Sequence, residues 1–463
     1  MPAPDDIYKN EVDFTALALQ YPHFAKRLKQ NRQLDFSDPE SVRQLTKSLL
    51  HRDFNLEIEL PEDRLCPPVP NRQVFNYILF IQQLLDSTSP DFRDGHDPDR
   101  RVIGLDIGTG SSCIYPLLAC RQRTNWLFLA TEIDPKNRSF AEKNISSNDL
   151  QSRIKLIDTD QSGKQLIPCD ELSPFERIDI LLTNPPFYAS ATSMLESATQ
   201  KSRPPNSSCT GAPVEMITPG GEVEFVSQLI RESTSPALVC RIQWFSSMLG
   251  KLSSVAAIVE DLKDRECTNY AVTELVQGQK TRRWCVSWSW MGFRPSLAVA
   301  RGGVGGNSGV EKRFLPGATE VEFGVSHGDP DVICKRIDEE MGKLELKWRF
   351  QHARCVGFLL SQAGDVWSRK ARRKQEKRDK AEDQEMKDHH DDVVDDDNDG
   401  GSGDEGEAEA EPGLVAKISV LPAHGDAATT RTERVHLRWL QGQDPVVFES
   451  FCGWLKRKLE VRA

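Results

Sequence analysis

Between Arg101 and Met291 the chain alternates short apolar runs with longer amphipathic stretches, and this rhythm excludes most folds. VIGLDI is an apolar strand that runs into the glycine turn GTG, and SSCIYPLLAC continues as a helix. WLFLATEID is a second strand, SFAEKNISSNDL a second helix, RIKLIDTD a third strand and RIDILLTNPPF a fourth, which ends on a Pro-Pro turn. Strands and helices alternating at this spacing specify a parallel sheet joined by right-handed crossovers. VCRIQWFSSML, YAVTELVQG and TRRWCVSWSW complete the sheet. The last two are separated only by Gly278-Gln279-Lys280, which predicts an antiparallel hairpin at its end.

The flanks read differently. Residues 1–100 form an accessory region with a predicted helix from Asp38-Pro39-Glu40 to about Leu50. An acid at its N-cap, proline at the first helical position and an acid at the positive end of the dipole mark its start. A second helix from about Gln73 to Leu85 carries Phe75, Ile78, Leu79, Ile81, Leu84 and Leu85 on one face. The glycine-rich stretch 292–317 reads as a flexible linker. Residues 318–364 and 413–463 each mix strands with one helix, and neither is large enough to fold alone. They therefore predict one small α+β domain interrupted by a disordered insertion at 365–412. That insertion starts basic and ends acidic: residues 381–412 hold fifteen of the 70 acids and one of the 59 basic residues. The net charge of −11 thus describes one segment, the remainder is slightly positive, and a polyanionic partner is not excluded.

No run approaches the roughly 18 apolar residues of a membrane span, and the first residues read as neither signal nor transit peptide. The eleven cysteines are scattered without a CxxC or Cys/His cluster, so they read as reduced core thiols and predict no metal site.

Four strand ends carry chemistry. After the first strand stands Asp106-Ile107-Gly108-Thr109-Gly110-Ser111-Ser112-Cys113. A pyrophosphate would need a third glycine where Cys113 sits. A ligand without phosphate, such as S-adenosylmethionine, needs only Gly108 and Gly110; a tight packing turn is the alternative. Glu132 ends the second strand, where a carboxylate can accept both hydroxyls of a ribose, although an acid there can also cap a helix, a role that better suits Asp134. The third strand ends in Asp158-Thr159-Asp160, within reach of an adenine ring.

The fourth ends in Asn184-Pro185-Pro186-Phe187. An exocyclic amine conjugated to a ring is a poor nucleophile until both its hydrogens are held by acceptors that oppose conjugation. The Asn184 side-chain oxygen and the Pro185 backbone oxygen can supply these, and the two prolines lock the backbone. Phe187 offers a face on which an extruded base can stack. No strong base is required, so catalysis rests on positioning and electrostatics.

With YPHFAKRL, FSDPESVRQLTKSLL, DIGTGSSCIYPLL, FLATEID, NPPF, PGGEVEFV and WFSSMLGK in this order over residues 10–290, the chain resembles the eukaryotic U6 small nuclear RNA adenine-N6 methyltransferases, the methyltransferase-like protein sixteen family. That family is related to the bacterial ribosomal RNA large-subunit methyltransferase F. The resemblance implies a class I Rossmann-like S-adenosylmethionine-dependent methyltransferase with an N-terminal helical extension, and a catalytic domain at 101–291. It implies methyl transfer to the exocyclic N6 of adenosine in structured RNA, with U6 as the leading substrate. It implies catalysis by Asn184 and cofactor contacts by Arg72, Gly108, Ser112 and Glu132. Arg72 suits the methionyl carboxylate. The adenine-side contact falls within Asp160–Gly163, and Asp106 and Gly110 complete the cofactor set.

Basic side chains supply candidate RNA contacts: Lys26, Arg27 and Lys29 near the N-terminus, Lys201 and Arg203 in a loop after NPPF, and Lys280, Arg282 and Arg283 in the hairpin. Such strips bind phosphates and set affinity more than sequence choice. Each also reads as a solvated face. The C-terminal α+β region resembles the family's C-terminal module of the kinase-associated RNA-binding type. The basic run from Arg369 to Lys380 reads as a nuclear localisation signal, an RNA-binding arm or a solvated linker. The expected location is the nucleus, with the cytoplasm as a second compartment. Two rival readings follow from the same residues: a glutamine methyltransferase of a translation release factor, and a non-catalytic RNA-binding protein that keeps the fold.

Overall fold

The computed structural model describes residues 12–67, 72–93, 95–160, 162–199, 211–277, 281–302, 309–326, 329–371, 373, 411–422 and 432–460. They form two compact units, one made of the residues up to 291 with 295–317, the other of 292–294 with those from 318 onward.

In the first unit β1 (Val102–Ile107), β2 (Trp126–Ala130), β3 (Ile154–Leu156), β4 (Ile178–Thr183), β5 (Ile242–Leu249), β6 (Tyr270–Gln277) and β7 (Thr281–Trp288) make one sheet. Its order is β3-β2-β1-β4-β5-β7-β6. Strands β1 to β5 are parallel, and β7 lies between β5 and β6, antiparallel to both, so the expected hairpin forms the sheet's end. The chain winds outward from β1 through β2 to β3, then returns to place β4 on the other side of β1. That reversal opens a crevice at the carboxyl ends of β1 and β4, where such sheets bind ligands. Ile107 pairs with Thr183, so the glycine turn and NPPF start at the same level.

Alternation along the strands builds two cores. Ile180, Leu182, Trp244 and Met248 pack with residues of the helices Arg72–Ser87 and Ile114–Gln122. Leu181, Phe245 and Leu249 pack with residues of Gly221–Ser233 and Leu252–Asp264. The N-terminal region contributes the helix Pro39–Phe54, whose N-cap Asp38 accepts the Ser41 N–H at 3.0 Å. It runs four residues past the expected end because Leu49, Leu50 and Phe54 extend the buried face, and Asn55 stops it at φ 51°. The predicted Gln73–Leu85 helix spans Arg72–Ser87. A small satellite core of Leu17, Phe24, Leu34, Leu45 and Leu49 anchors the first helices.

The stretch 292–317 differs from a free linker. Its described residues 295–302 and 309–317 belong to the first unit, with Val299, Ala300 and Phe314 buried. Three apolar anchors among many glycines outweigh the composition.

The second unit is a five-stranded antiparallel sheet of β8 (Glu320–Ser326), β9 (Lys347–Gln351), β10 (Val356–Ser361), β11 (Leu414–Leu421) and β12 (Thr432–Gln441), in the order β8-β12-β11-β10-β9. Val435, Leu437, Ala416, Ile418 and Leu359 pack with Ile333, Ile337, Phe448, Phe451 and Leu455 of the helices Pro330–Met341 and Pro445–Leu459. The two sequence halves pair directly, β10 on β11, which makes them one fold interrupted between Ser361 and Leu414. The interruption starts later than residue 365: Trp367 is buried, packs on Phe451 and donates its indole N–H to the Ser450 hydroxyl at 3.1 Å. Most of the remaining insertion lies outside the described residues.

Among the described residues no helix is long and apolar enough to cross a membrane. None of them form a group of three or more His, Cys, Asp or Glu able to hold a metal ion.

Candidate active site

Gly108 and Gly110 follow β1 at φ +71° and +66°, the left-handed region that side chains resist. A Cβ built at either would meet no atom within 4 Å, so the turn faces open space. Backbone contacts fix it: the Thr109 N–H donates to the Thr131 carbonyl at 2.9 Å and the Gly108 N–H to the Thr131 hydroxyl at 3.2 Å. Cys113, where a third glycine would stand, is buried and left-handed at φ 51°.

Glu132 stands just beyond β2, nearly buried. Its carboxylate accepts the N–H of Gly110 and the N–H of Asp134, each at 2.8 Å. These bonds fix its orientation and leave a lone pair on each oxygen for two hydroxyls. Burial pushes its pKa up, while the two N–H donors pull it back. Asp134 caps the helix Pro135–Ser147 through the Asn137 N–H, the division of labour anticipated for the two acids. Ile133 between them is a large apolar side chain left 40% exposed.

Asp106 is buried at the end of β1, and burial pushes its carboxyl up to about 7; the nearby Thr109 hydroxyl offsets part of this without reaching hydrogen-bond geometry. Asp160 behaves otherwise. Its carboxylate accepts the Ser162 hydroxyl at 2.7 Å and the N–H groups of Ser162, Lys164 and Gln165 at 2.8–3.1 Å, which holds it down to about 2. The side chain closes its own loop, an Asx-type turn in which Ser162 and Gly163 stand two and three residues on.

Asn184 follows β4, which is tied to β1 by the Thr183 hydroxyl donating to the Ile107 carbonyl at 2.9 Å. The Asn184 Oδ1 atom is buried and has no hydrogen-bond partner among the described residues. An orphaned acceptor costs about 1–3 kcal/mol, so a ligand N–H that fills it gains that much in return. Pro185 is buried and Phe187 half-buried. The Arg283 guanidinium lies 5.1 Å from the Phe187 ring centroid. Burial pushes the Arg283 pKa down, with Glu222 opposing.

Two quoted motifs become intelligible here. In PGGEVEFV, Glu222 is buried and accepts the Gly250 N–H at 2.6 Å and the Ser254 hydroxyl. This clasp brings WFSSMLGK against NPPF, and a Cβ on Gly250 would lie 3.1 Å from the Phe187 ring edge.

Among the candidate RNA contacts, Arg283 joins the site. Arg282 instead pairs with the buried Glu274 of the neighbouring strand, neutralising a carboxylate that would otherwise be stranded. Lys26, Arg27 and Lys29 are exposed, with Arg27 at 3.7 Å from Glu40 and Lys29 at 3.0 Å from Asp35. Arg72 opens the helix Arg72–Ser87, but its side chain, like Lys201, Arg203 and Lys280, lies outside the described residues.

The sheet order, the open glycine turn, the strand-end carboxylate and NPPF at the reversal point together define a class I methyltransferase. The chain belongs to a family described as RNA methyltransferase, whose model matches residues 3–292. It is 33% identical to the U6 small nuclear RNA (adenine-(43)-N(6))-methyltransferase of Schizosaccharomyces pombe over 94% of this chain and 97% of that one. The catalytic domain of human METTL16 solved with a MAT2A 3′UTR hairpin superposes with TM-score 0.53 at 37% identity, over 62% of this chain and 94% of that one. The N-terminal domain of human METTL16 solved with SAH gives 0.50 at 35%, over 62% and 98%. The chain spans nearly all of the fission yeast protein but about half the length of the vertebrate relatives it matches.

Proposed function

We propose that this protein transfers a methyl group from S-adenosylmethionine to the exocyclic N6 of an adenosine in structured RNA, with U6 small nuclear RNA as its substrate. The observation that carries the reading is the partnerless Asn184 Oδ1 atom placed at the strand reversal beside Phe187. S-adenosylmethionine supplies an electrophilic methyl on a sulfonium, and the open glycine turn with Glu132 is the place that fits it. Asn184 Oδ1 and the Pro185 carbonyl accept the two amine hydrogens and draw the nitrogen lone pair out of conjugation. Bound there, the sulfonium would give its methyl to the amine nitrogen and leave as the thioether, and the spare proton would pass from nitrogen to solvent. Arg283 covers one face of Phe187, so a planar base stacks on the other.

The C-terminal unit supports an RNA role of its own. On the sheet face away from its helices, Arg349, Phe358 and Lys417 form one cross-strand row, with the Lys417 ammonium 5.9 Å from the Phe358 ring. An aromatic set among cations suits unpaired bases and phosphates. The substrate, together with the basic run at 369–380, supports a nuclear location.

Labelled cofactor offered together with cellular RNA and a translation release factor tests the assignment. Label should enter RNA alone; label in the release factor with RNA unlabelled would replace this reading by the glutamine one.

A further inference from the structure

We infer that Asn144 is a positioning residue for the methyl-donor site, holding the glycine turn in the shape that presents Ser112; the inference rests on the methyltransferase reading above. Residues 56–60 alternate, with Leu56, Ile58 and Leu60 buried and Glu57 and Glu59 exposed, the pattern of a strand. Yet they pair with no strand among the described residues. Their backbone meets two asparagine side chains instead.

Asn144 Oδ1 accepts the Glu59 N–H at 2.6 Å, and Asn144 Nδ2 donates to the Glu59 carbonyl at 3.0 Å. Asn148 serves Glu57 in the same way, at 2.9 and 2.6 Å. The spacing explains the match. Two residues of extended chain span about 6.6 Å, and four residues of helix about 6 Å. Each amide thus imitates a neighbouring strand, and for this segment the two are equivalent.

They differ in their remaining contacts: Asn148 Oδ1 also accepts from the Arg121 guanidinium at 3.5 Å, away from the turn. Asn144 Nδ2 also donates to the Ser111 carbonyl at 2.9 Å, inside the turn that follows β1. The corresponding second bond of Asn148 goes to the Asn144 carbonyl at 2.7 Å, within its own helix. A planar trans peptide holds its C=O and N–H on opposite sides, so anchoring the Ser111 carbonyl turns the Ser112 N–H away from Asn144. Gly108 and Gly110 give the turn a backbone with little conformational preference of its own; Thr131 and Glu132 hold its first half, and Asn144 holds its Ser111 end. Asn144 is fully buried, so this restraint is not shared with water.

Full-length wild type, Asn144→Ala, Asn148→Ala and Asn144→Asp, compared by thermal melting and by calorimetric titration with S-adenosylhomocysteine, test the inference. Both alanine variants should lose comparable thermal stability. Affinity should fall tenfold or more for Asn144→Ala and stay within twofold for Asn148→Ala. The KM for S-adenosylmethionine should follow the same split, with kcat within threefold. Asn144→Asp keeps an acceptor for Glu59 but turns an oxygen toward two carbonyls, and it should lose affinity even if the alanine variant fails to fold. Equal affinity losses in the two alanine variants, or wild-type affinity in a folded Asn144→Asp, would overturn the role. The wild-type titration reports separately on the parent reading: no binding there removes both.

Discussion

Asn184 and Asp106 sit one strand apart, and their side chains face opposite problems. Asn184 Oδ1 is an acceptor waiting for a donor, and Asp106 is a carboxylate denied solvent. If Asn184 acts on the amine only as it reacts, Asn184→Ala should lower kcat by about 10²–10³. Cofactor and RNA affinities, read by calorimetry and filter binding, should stay within threefold. For Asp106 the sign is fixed by linkage. Its folded pKa of about 7 lies above the ordinary aspartate value, so the folded state holds a proton that the unfolded chain releases near pH 4. Stability from this group is therefore full below about pH 4 and lost as pH rises through 7, by up to about 4 kcal/mol. Asp106→Asn, melted without cofactor, should gain several degrees over wild type at pH 8 and little at pH 4.

Among the elements, the clasp between the helix Gly221–Ser233 and the loop after β5 decides where Phe187 stands. Gly250→Ala would press a methyl group to 3.1 Å from both the Phe187 ring and Glu222 Oε2. Steady-state kinetics should show about a tenfold loss of kcat, while cofactor affinity stays unchanged.

The elements also show what could be read in advance. Strands β1 to β7, the hairpin and the two strand-end motifs were legible because apolar runs, turn glycines and the Pro-Pro step are local signals. The turn that Asp160 closes was not read in advance, since a strand-end acid and an Asx turn share one residue type. The Arg282–Glu274 pair was not read in advance because Glu274 lies on the neighbouring strand and its burial is not a sequence signal. The asparagine ladder under residues 57 and 59 was invisible: it joins positions about ninety apart through side-chain amides that have no sequence period.

At the scale of the whole molecule there are two units. The first holds the glycine turn, Glu132 and the Asn184–Phe187 stretch, and the second carries the Arg349–Phe358–Lys417 row. Replacing Arg349 and Lys417 by alanine in the full chain should weaken RNA binding and reduce the slope of log K against log salt by about 1–2, as each lost phosphate contact releases fewer counterions. Cofactor affinity should not change. A salt slope equal to wild type would place RNA elsewhere.

The central claim is that Asn184 and Pro185 present two acceptors to an adenosine amine. The most direct measurement digests RNA methylated by the purified protein to nucleosides and identifies the product by mass spectrometry. N6-methyladenosine from wild type, absent with Asn184→Ala, is the predicted result. A different methylated nucleoside, or N6-methyladenosine at wild-type yield from Asn184→Ala, would contradict it.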